Sequence, residues 1–248
     1  CIRDSVRSLS HTYHTNSGET PALRDIHFDL FPGEFAAIVG PSGCGKSTLL
    51  ELIAGLIPIE TGSLLYPACN KTPAIGYMLQ KDHLLEHRTI YKNIILGLEI
   101  QHRLTEKNLE YVQKLMRQYG IADFASSYPR ELSGGMRQRA ALIRTLALKP
   151  EFLLLDEPFS ALDYQTRLDV SDDIAKIIRQ SGVTTLLVTH DLSEAISIAD
   201  RIIVLGKRPG HIRKIVTIDF KTNKKLSSKE ARIHLSLIHI SEPTRHAQ

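Results

Sequence analysis

The chain has 248 residues, of which 42% are hydrophobic and 23% charged, which is typical of a globular protein with one large domain or a domain carrying an insertion. Its 31 basic and 27 acidic side chains leave a net charge of only +4, too little to indicate a nucleic-acid partner. The three cysteines follow no metal-ligand spacing, which excludes a zinc site and a disulfide framework, and no apolar run approaches the ~18–20 residues that cross a bilayer. We therefore expect a cytosolic protein that could still reach a membrane through a partner.

The first informative pattern is a short apolar run, a glycine-rich loop and an amphipathic helix. Residues 35–39 have strand length, residues 40–47 read GPSGCGKS and fit G-x-x-x-x-G-K-[ST], and Gly55 marks the expected end of the helix. The backbone of such a loop wraps phosphates, while Lys46 supplies a cation to the β and γ oxygens and Ser47 offers a hydroxyl to Mg²⁺. The pattern predicts a nucleoside-triphosphate site.

A second apolar run, residues 152–155, ends in Asp156 and Glu157. A continuous apolar run indicates a strand covered on both faces, and its carboxyl end lies where open α/β sheets bind ligands. Asp156 is then the expected partner of Mg²⁺, and Glu157 can polarise the attacking water.

Two polar residues follow other strand-like runs in the same manner. His190 comes after the run at residues 185–188, and Gln80 ends the stretch AIGYMLQ. A residue of either kind alone more often has a structural role. The functional interpretation of both depends on the phosphate loop and the two acids in the same sequence. Together they complete a hydrolytic site.

The stretch ELSGGMRQRA, residues 131–140, carries a second anion-binding pattern. Ser133, Gly134 and Gly135 stand at the expected N-terminus of a helix, where free N–H groups attract negative charge. One nucleotide cannot occupy two phosphate sites separated by a helical segment, whereas a two-fold dimer uses both through one self-complementary surface.

Between Gln80 and Pro150 the apolar spacing becomes helical, and it indicates a helical core stripe. The stripe on its first long helix comprises Leu109, Val112, Leu115, Met116 and Tyr119. The predicted division is a catalytic core at 1–79 and 151–220, a helical insertion at 80–150, a truncated native C-terminal segment at 221–234 and a non-native tail at 235–248.

Both ends of the sequence look unnatural. The chain opens at Cys1 without an initiator methionine, which indicates a fragment. Near the other end, LSLIHISEPTR at residues 235–245 resembles the translation of a transposon-end sequencing adapter, so we expect the native sequence to stop near His234.

Together the motifs resemble the nucleotide-binding subunit of an ATP-binding-cassette (ABC) transporter, over about residues 2–234. The order Tyr13, GPSGCGKST, Gln80, LSGGM, LLLDEP, SALD and His190 matches that family, and LSGG is specific to it. The resemblance implies an α/β fold, with a P-loop NTPase (RecA-like) core, an antiparallel β subdomain and an inserted α-helical subdomain.

The resemblance also implies ATP and Mg²⁺ as cofactors. ATP would be bound by Tyr13, which stacks on adenine, and by Gly40, Pro41, Ser42, Gly43, Cys44, Gly45, Lys46, Ser47, Thr48, Ser133, Gly134, Gly135 and Asp163. The implied catalytic residues are Glu157, His190 and Gln80, and the implied Mg²⁺ ligands are Ser47, Gln80 and Asp156. In this family two subunits join head to tail, so that the Ser-Gly-Gly turn of one caps the γ-phosphate bound by the other.

Three stretches resemble importers of the nitrate, sulfonate and taurine type. They are LSGGMRQR, RPGHI at residues 208–212 and LLEHRTIYKNIILGLE, which carries His87 where those relatives commonly have tryptophan. The implied partners are a second copy of the chain, integral-membrane permease subunits at the cytoplasmic face of the membrane and, indirectly, a solute-binding protein. The residues after Gln80 would receive the coupling helix of the permease.

Three alternatives carry a phosphate loop with a different role. An exporter or lipid-extraction ATPase would share the chemistry, but the RPG and LSGGM features favour an importer. A soluble ABC ATPase acting on DNA or ribosomes usually has tandem cassettes or a long coiled coil, neither of which occurs in this sequence. A P-loop kinase would lack LSGG.

Overall fold

A computed structural model of the protein describes residues 4–15, 18–66, 73–160 and 162–218. Cys1, Cys69 and the two predicted segments at 221–234 and 235–248 lie outside the described residues. The strands are β1 (Asp4–Thr15), β2 (Gly18–Leu30), β3 (Phe35–Val39), β4 (Thr61–Leu65), β5 (Ile75–Met78), β6 (Phe152–Asp156), β7 (Thr184–Thr189), β8 (Arg201–Leu205) and β9 (Ile212–Thr217). The helices are α1 (Lys46–Ile53), α2 (Ile90–Ile94), α3 (Leu96–Ile100), α4 (Glu106–Gln118), α5 (Gly134–Leu146), α6 (Tyr164–Ser181) and α7 (Leu192–Ile198).

These strands form two sheets. The larger has six strands in the order β5-β6-β7-β3-β8-β9, parallel throughout except for the antiparallel pair of β8 and β9. The smaller is antiparallel, in the order β2-β1-β4. The α/β class with an antiparallel β portion is therefore confirmed.

The central strands of the large sheet are buried on both faces, because the helices that connect parallel strands cover them. Every residue of β3, β6 and β7 is buried, as the continuous apolar runs predict. The observed β6 is one residue longer than the strand predicted at residues 152–155, because it includes Asp156. The observed β7 extends one residue beyond each end of the strand predicted at residues 185–188. The carboxyl ends of β3, β6 and β7 meet at one edge, which positions the polar residues that follow them.

The segment at residues 80–150 holds α2 to α5 and two 3₁₀ turns. On α4, Val112, Leu115 and Met116 are buried, as is the adjoining Tyr119, and Leu109 packs against the same core. The predicted helical stripe is therefore core, and the division of the chain into domains stays a prediction. Among the described residues, no helix is long and apolar enough to cross a membrane.

Candidate functional site

The glycine-rich loop runs from β3 into the N-terminus of α1. Gly45, the residue before the helix, has φ 100°, in the left-handed region that glycine adopts without strain, and a side chain there would meet the Ala22 carbonyl oxygen at 2.9 Å. The Lys46 ammonium donates to the carbonyl oxygens of Gly40 at 3.0 Å and Pro41 at 3.2 Å. The loop thus encircles its own lysine at the start of a helix, which is the local arrangement predicted for phosphate binding.

Ser47 and Asp156 meet beside this loop. The Ser47 hydroxyl donates to Asp156 Oδ1 at 3.1 Å, and the Tyr77 hydroxyl donates to Oδ2 at 3.4 Å. Burial raises the pKa of Asp156, and the bond from Ser47 acts in the opposite direction. Burial and the nearby Asp156 also raise the pKa of Tyr77, so the phenol remains a donor.

Glu157 and His190 come together because β6 and β7 are neighbours in the sheet. His190 Nδ1 lies 3.0 Å from Glu157 Oε2. Glu157 has φ 42°, a left-handed conformation that costs a non-glycine residue about 1–3 kcal/mol. Its N–H donates to the Val188 carbonyl at 2.9 Å, which holds the strained residue against β7.

Gln80 is connected to the backbone of Glu157 through Ser160. Gln80 Nε2 donates to Ser160 Oγ at 3.2 Å, and that hydroxyl donates to the Glu157 carbonyl at 3.0 Å. The segment after Gln80 is bound to α5, since Arg144 donates to the carbonyls of Asp82 at 2.6 Å and His83 at 2.8 Å.

These groups surround a cavity of about 380 Å³. Tyr13 forms one wall, and its hydroxyl lies 3.1 Å from Thr48 Oγ1. The lining includes Lys46, Ser47, Gln80 and Glu157, as predicted, together with Arg208, which the sequence did not suggest. One cavity thus contacts the phosphate loop, the aromatic residue and two of the three predicted catalytic residues.

The Ser-Gly-Gly turn is the N-terminus of α5 and contributes none of the described residues that line this cavity. The Ser133 hydroxyl accepts from the Met136 N–H at 3.4 Å, as an N-cap does. Asp163 has the same position on α6, where Oδ1 accepts from the Thr166 N–H at 3.1 Å. The predicted ATP contacts therefore separate into a group at the cavity and a group outside it.

A buried polar network lies behind the His190 turn. Thr189 Oγ1 donates to Glu194 Oε2 at 2.8 Å, and burial raises the pKa of Glu194 to about 8. Arg167 links this turn to the SALD segment, because it donates to the Leu162 carbonyl at 3.0 Å and lies 3.9 Å from Asp191 Oδ2.

Cys44 lies within the loop, and its thiol is buried. Burial raises the pKa of Cys44, against the opposing effect of the Lys46 charge. The thiol is neither exposed nor acidic, so it lacks the two features that make a cysteine reactive.

Comparison with known proteins agrees with this geometry. Residues 23–160 match the family described as ABC transporter. The chain is 47% identical over 216 residues to the uncharacterized ABC transporter ATP-binding protein YtlC of Bacillus subtilis (strain 168). The alignment covers 86% of this chain and 83% of YtlC.

The chain belongs to the ABC transporter family. It is also 38% identical to the aliphatic sulfonates import ATP-binding protein SsuB of Bacillus licheniformis, over 87% of this chain and 84% of SsuB. Among solved structures it resembles the dimeric ATP-binding cassette MJ0796 in a post-hydrolysis state with ADP and Pi, with a TM-score of 0.73 and 27% identity. That likeness covers 87% of this chain and 99% of MJ0796.

The fold is thus the P-loop NTPase fold of ABC cassettes, and the chain is an ABC ATPase. Arg208 and Ser160 occur in RPGHI and SALD, two stretches that carry the resemblance, but the sequence predicted no role at the site for either residue. Arg208 lies in a turn and Ser160 in a loop, and neither position carries a local signal for contacts with residues far away in the chain.

The donor chemistry around Ser47 fits a magnesium ion. Magnesium prefers oxygen ligands and usually keeps several waters, with one or two carboxylates and substrate phosphates completing its shell. Ser47 Oγ and Asp156 Oδ1 are adjacent, at 3.1 Å, next to the phosphate loop. Among the described residues, no group of three or more His, Cys, Asp or Glu side chains could hold a metal ion.

Proposed function

We propose that this ABC ATPase is the energising subunit of an importer that takes up a small solute through a separate membrane permease. Its cofactors are ATP and Mg²⁺, and it works as a homodimer. The observation that carries the proposal is the cavity that joins Lys46, Ser47, Glu157 and Tyr13, while the Ser-Gly-Gly turn of the same chain lies outside it.

The chemistry within one chain follows from the positions of the side chains. The loop N–H groups and Lys46 bind the triphosphate, and Tyr13 stacks on the adenine. Ser47, Asp156 and Gln80 would hold Mg²⁺. When bound, the ion neutralises charge that develops on the phosphate oxygens.

Glu157 is the group that orients and polarises the attacking water. Its contact with His190, at 3.0 Å, holds both side chains at the end of the sheet. His190 then reaches the γ-phosphate, and Gln80 is tied to the same backbone through Ser160. Because each group acts on charge that develops at the transferred phosphoryl, positioning and electrostatics supply most of the rate.

The second half of each site comes from the other copy. Ser133, Gly134 and Gly135 offer a helix N-terminus, and Asp163 lies at the neighbouring N-terminus of α6. A head-to-tail dimer brings the turn of one copy to the γ-phosphate of the other, and two-fold symmetry completes both sites with one surface. The similarity to MJ0796, which is dimeric in a post-hydrolysis state with ADP and Pi, supports a dimer.

The importer assignment rests on the resemblance of the RPG and LSGGM stretches and on the similarity to SsuB, an import ATP-binding protein for aliphatic sulfonates. The proposed substrate is a small solute of the nitrate, sulfonate or taurine kind, or a related one. The permease holds the subunit at the cytoplasmic face of the membrane, and a solute-binding protein acts indirectly.

A mixing experiment tests the composite site. Lys46→Ala removes the loop lysine and Ser133→Arg blocks the turn, so each variant alone should hydrolyse almost no ATP. In a head-to-tail dimer, the mixed pair keeps one intact site, and an equal mixture should recover about a quarter of wild-type turnover if the two sites act independently. No recovery on mixing, with heterodimers verified by affinity tags, would contradict a site shared between copies.

A transport assay tests the importer assignment. Any permease and solute-binding-protein genes found beside this one should be expressed with the ATPase in vesicles. We expect ATP-dependent uptake of a sulfonate or nitrate, and no uptake with Glu157→Gln. Solute movement in the opposite direction would replace the importer with an exporter.

A further inference from the structure

The turn between β8 and β9 lies against the phosphate loop. The Gly210 N–H donates to the Ala22 carbonyl at 2.8 Å, and the Arg24 N–H donates to the Gly210 carbonyl at 2.8 Å. A Cβ at Gly210 would meet the Cys44 carbonyl oxygen at 2.1 Å, so only glycine allows this approach. The backbone of the turn is therefore fixed both to β2 and to the loop itself.

This contact carries the Arg208 side chain to the cavity. Arg208 Nε donates to the Pro21 carbonyl at 3.1 Å. Pro21 pairs with Thr12 across the antiparallel sheet, one residue from Tyr13. A guanidinium has five N–H donors, and the bond to Pro21 uses one of them.

Among the described residues, the cavity lining contains two cations, which different parts of the chain hold. Lys46 is held by Gly40 and Pro41, at the start of the loop. Arg208 is held by the Pro21 carbonyl, and the strand partner of Pro21 is Thr12, the residue before Tyr13. Arg208 and Tyr13 line the same cavity, and the Tyr13 hydroxyl contacts Thr48 in the first turn of α1. For a nucleotide with its base on Tyr13 and its terminal phosphates on Lys46, we expect the nucleoside monophosphate portion to lie within reach of Arg208.

We propose that Arg208 binds the α-phosphate of the nucleotide, and so recognises ATP and ADP alike. The proposal rests on the nucleotide site of the proposed function. The planar fork of a guanidinium matches phosphate oxygens, and its contact is charge-assisted. The RPG turn thus supplies a phosphate-binding arginine from outside the glycine-rich loop, in the same chain that holds the base.

Binding of Mg²⁺-ADP and of a non-hydrolysable ATP analogue to the full chain, measured by titration calorimetry, tests the proposal. Arg208→Ala should weaken both ligands by about tenfold and by the same factor, because the α-phosphate is common to them. Arg208→Lys keeps the charge without the fork and should recover part of the loss. The control Lys214→Ala removes an equal charge from the exposed face of β9 in the same hairpin and should leave both affinities within about twofold.

Three results would overturn the proposal: unchanged affinities in Arg208→Ala, an equal loss in Lys214→Ala, or a loss confined to the triphosphate analogue. Tripolyphosphate lacks the nucleoside. A loss of affinity for ADP without a loss for tripolyphosphate would mean that Arg208 stacks on the base instead.

Lys46→Ala separates this inference from the proposed function. If Lys46→Ala abolishes binding while Arg208→Ala has no effect, only the role of Arg208 fails, whereas normal binding by Lys46→Ala would remove the nucleotide site itself. Melting curves of Arg208→Ala and Arg208→Lys verify that both variants fold.

Discussion

The phosphate loop and the Ser-Gly-Gly turn are both glycine-rich entries into helices, yet their surroundings differ. At α1, the residue before the helix is Gly45, which has no side-chain cap, so the first N–H groups remain available for an anion. At α5, Ser133 caps the helix with its own hydroxyl. The phosphate loop lies at the edge of the large sheet, where Asp156 and Glu157 follow β6, whereas the turn belongs to the helical segment.

A helix N-terminus alone does not make a catalytic site. The sheet brings acids, a histidine and a glutamine to the phosphate loop, while the turn packs against the aliphatic side chains of Leu162 and Val170. In the proposed dimer the turn therefore supplies closure and the loop supplies chemistry. Variants at the loop should therefore lose the hydrolytic step, whereas variants at the turn should lose dimer closure.

Removing the acid beside the phosphate loop should have the largest effect. Glu157→Gln keeps the shape of the side chain but cannot polarise water, so we expect ATP turnover to fall by about 10²–10⁴-fold while ATP binding and dimer formation remain. Phosphate release and size-exclusion chromatography with ATP measure the two properties. The matched control Glu110→Gln, on the exposed face of α4, should hydrolyse normally. Turnover close to wild type would remove Glu157 from its catalytic role.

Blocking the turn should act on closure and leave the first binding step intact. In Ser133→Arg the long side chain occupies the N-terminus of α5, so we expect at least about tenfold lower turnover, no ATP-induced dimer and nearly normal nucleotide affinity in the monomer. The control Ser63→Arg places the same side chain on exposed β4. If Ser133→Arg also lost nucleotide affinity, the serine would serve the nucleotide of its own chain.

The glycines of the turn also have a packing role. A Cβ at Gly135 would lie 2.6 Å from Val170 Cγ2, and Val170 is buried. Gly135→Ala should therefore lower the free energy of unfolding by about 1–3 kcal/mol, partly offset by the better helix propensity of alanine, and reduce turnover a few-fold. Thermal melts should show the double variant Gly135→Ala/Val170→Ala to be more stable than the sum of the two single changes. Simple additivity would mean that the two residues do not clash.

The sequence predicted most of what the sheet edge brings together. Buried runs identify β3, β6 and β7 locally, and the carboxyl ends of neighbouring parallel strands converge, which places Asp156, Glu157 and His190 near the loop. Arg208 could not be predicted in this way, because its partner Pro21 lies 187 residues earlier. Contacts of that kind depend on how the β8–β9 turn packs against β2, and no local sequence pattern predicts that packing.

The same reasoning applies to Glu194, the buried group behind the His190 turn. From the sequence alone, Glu194 would be expected to be an ordinary ionised glutamate on a helix. Burial in the folded chain, together with the charge of Asp191, raises the pKa of this carboxyl to about 8, against the opposing effects of the Thr189 hydrogen bond and Arg167. Near pH 7 this carboxyl is mostly protonated and therefore uncharged.

Glu194→Gln should change turnover least near pH 7, because glutamine resembles the protonated carboxyl. Its effect should appear in stability. The folded-state pKa is raised above the usual value of 4.5, so the folded chain binds a proton that the unfolded chain releases, and wild-type stability falls as pH rises from about 4.5 to about 8. Glutamine cannot titrate, so the melting temperature of the variant relative to wild type should rise across that interval and level off above it. A difference that does not vary with pH would show that Glu194 titrates at its ordinary pKa, and the network behind His190 would then hold a charged carboxylate.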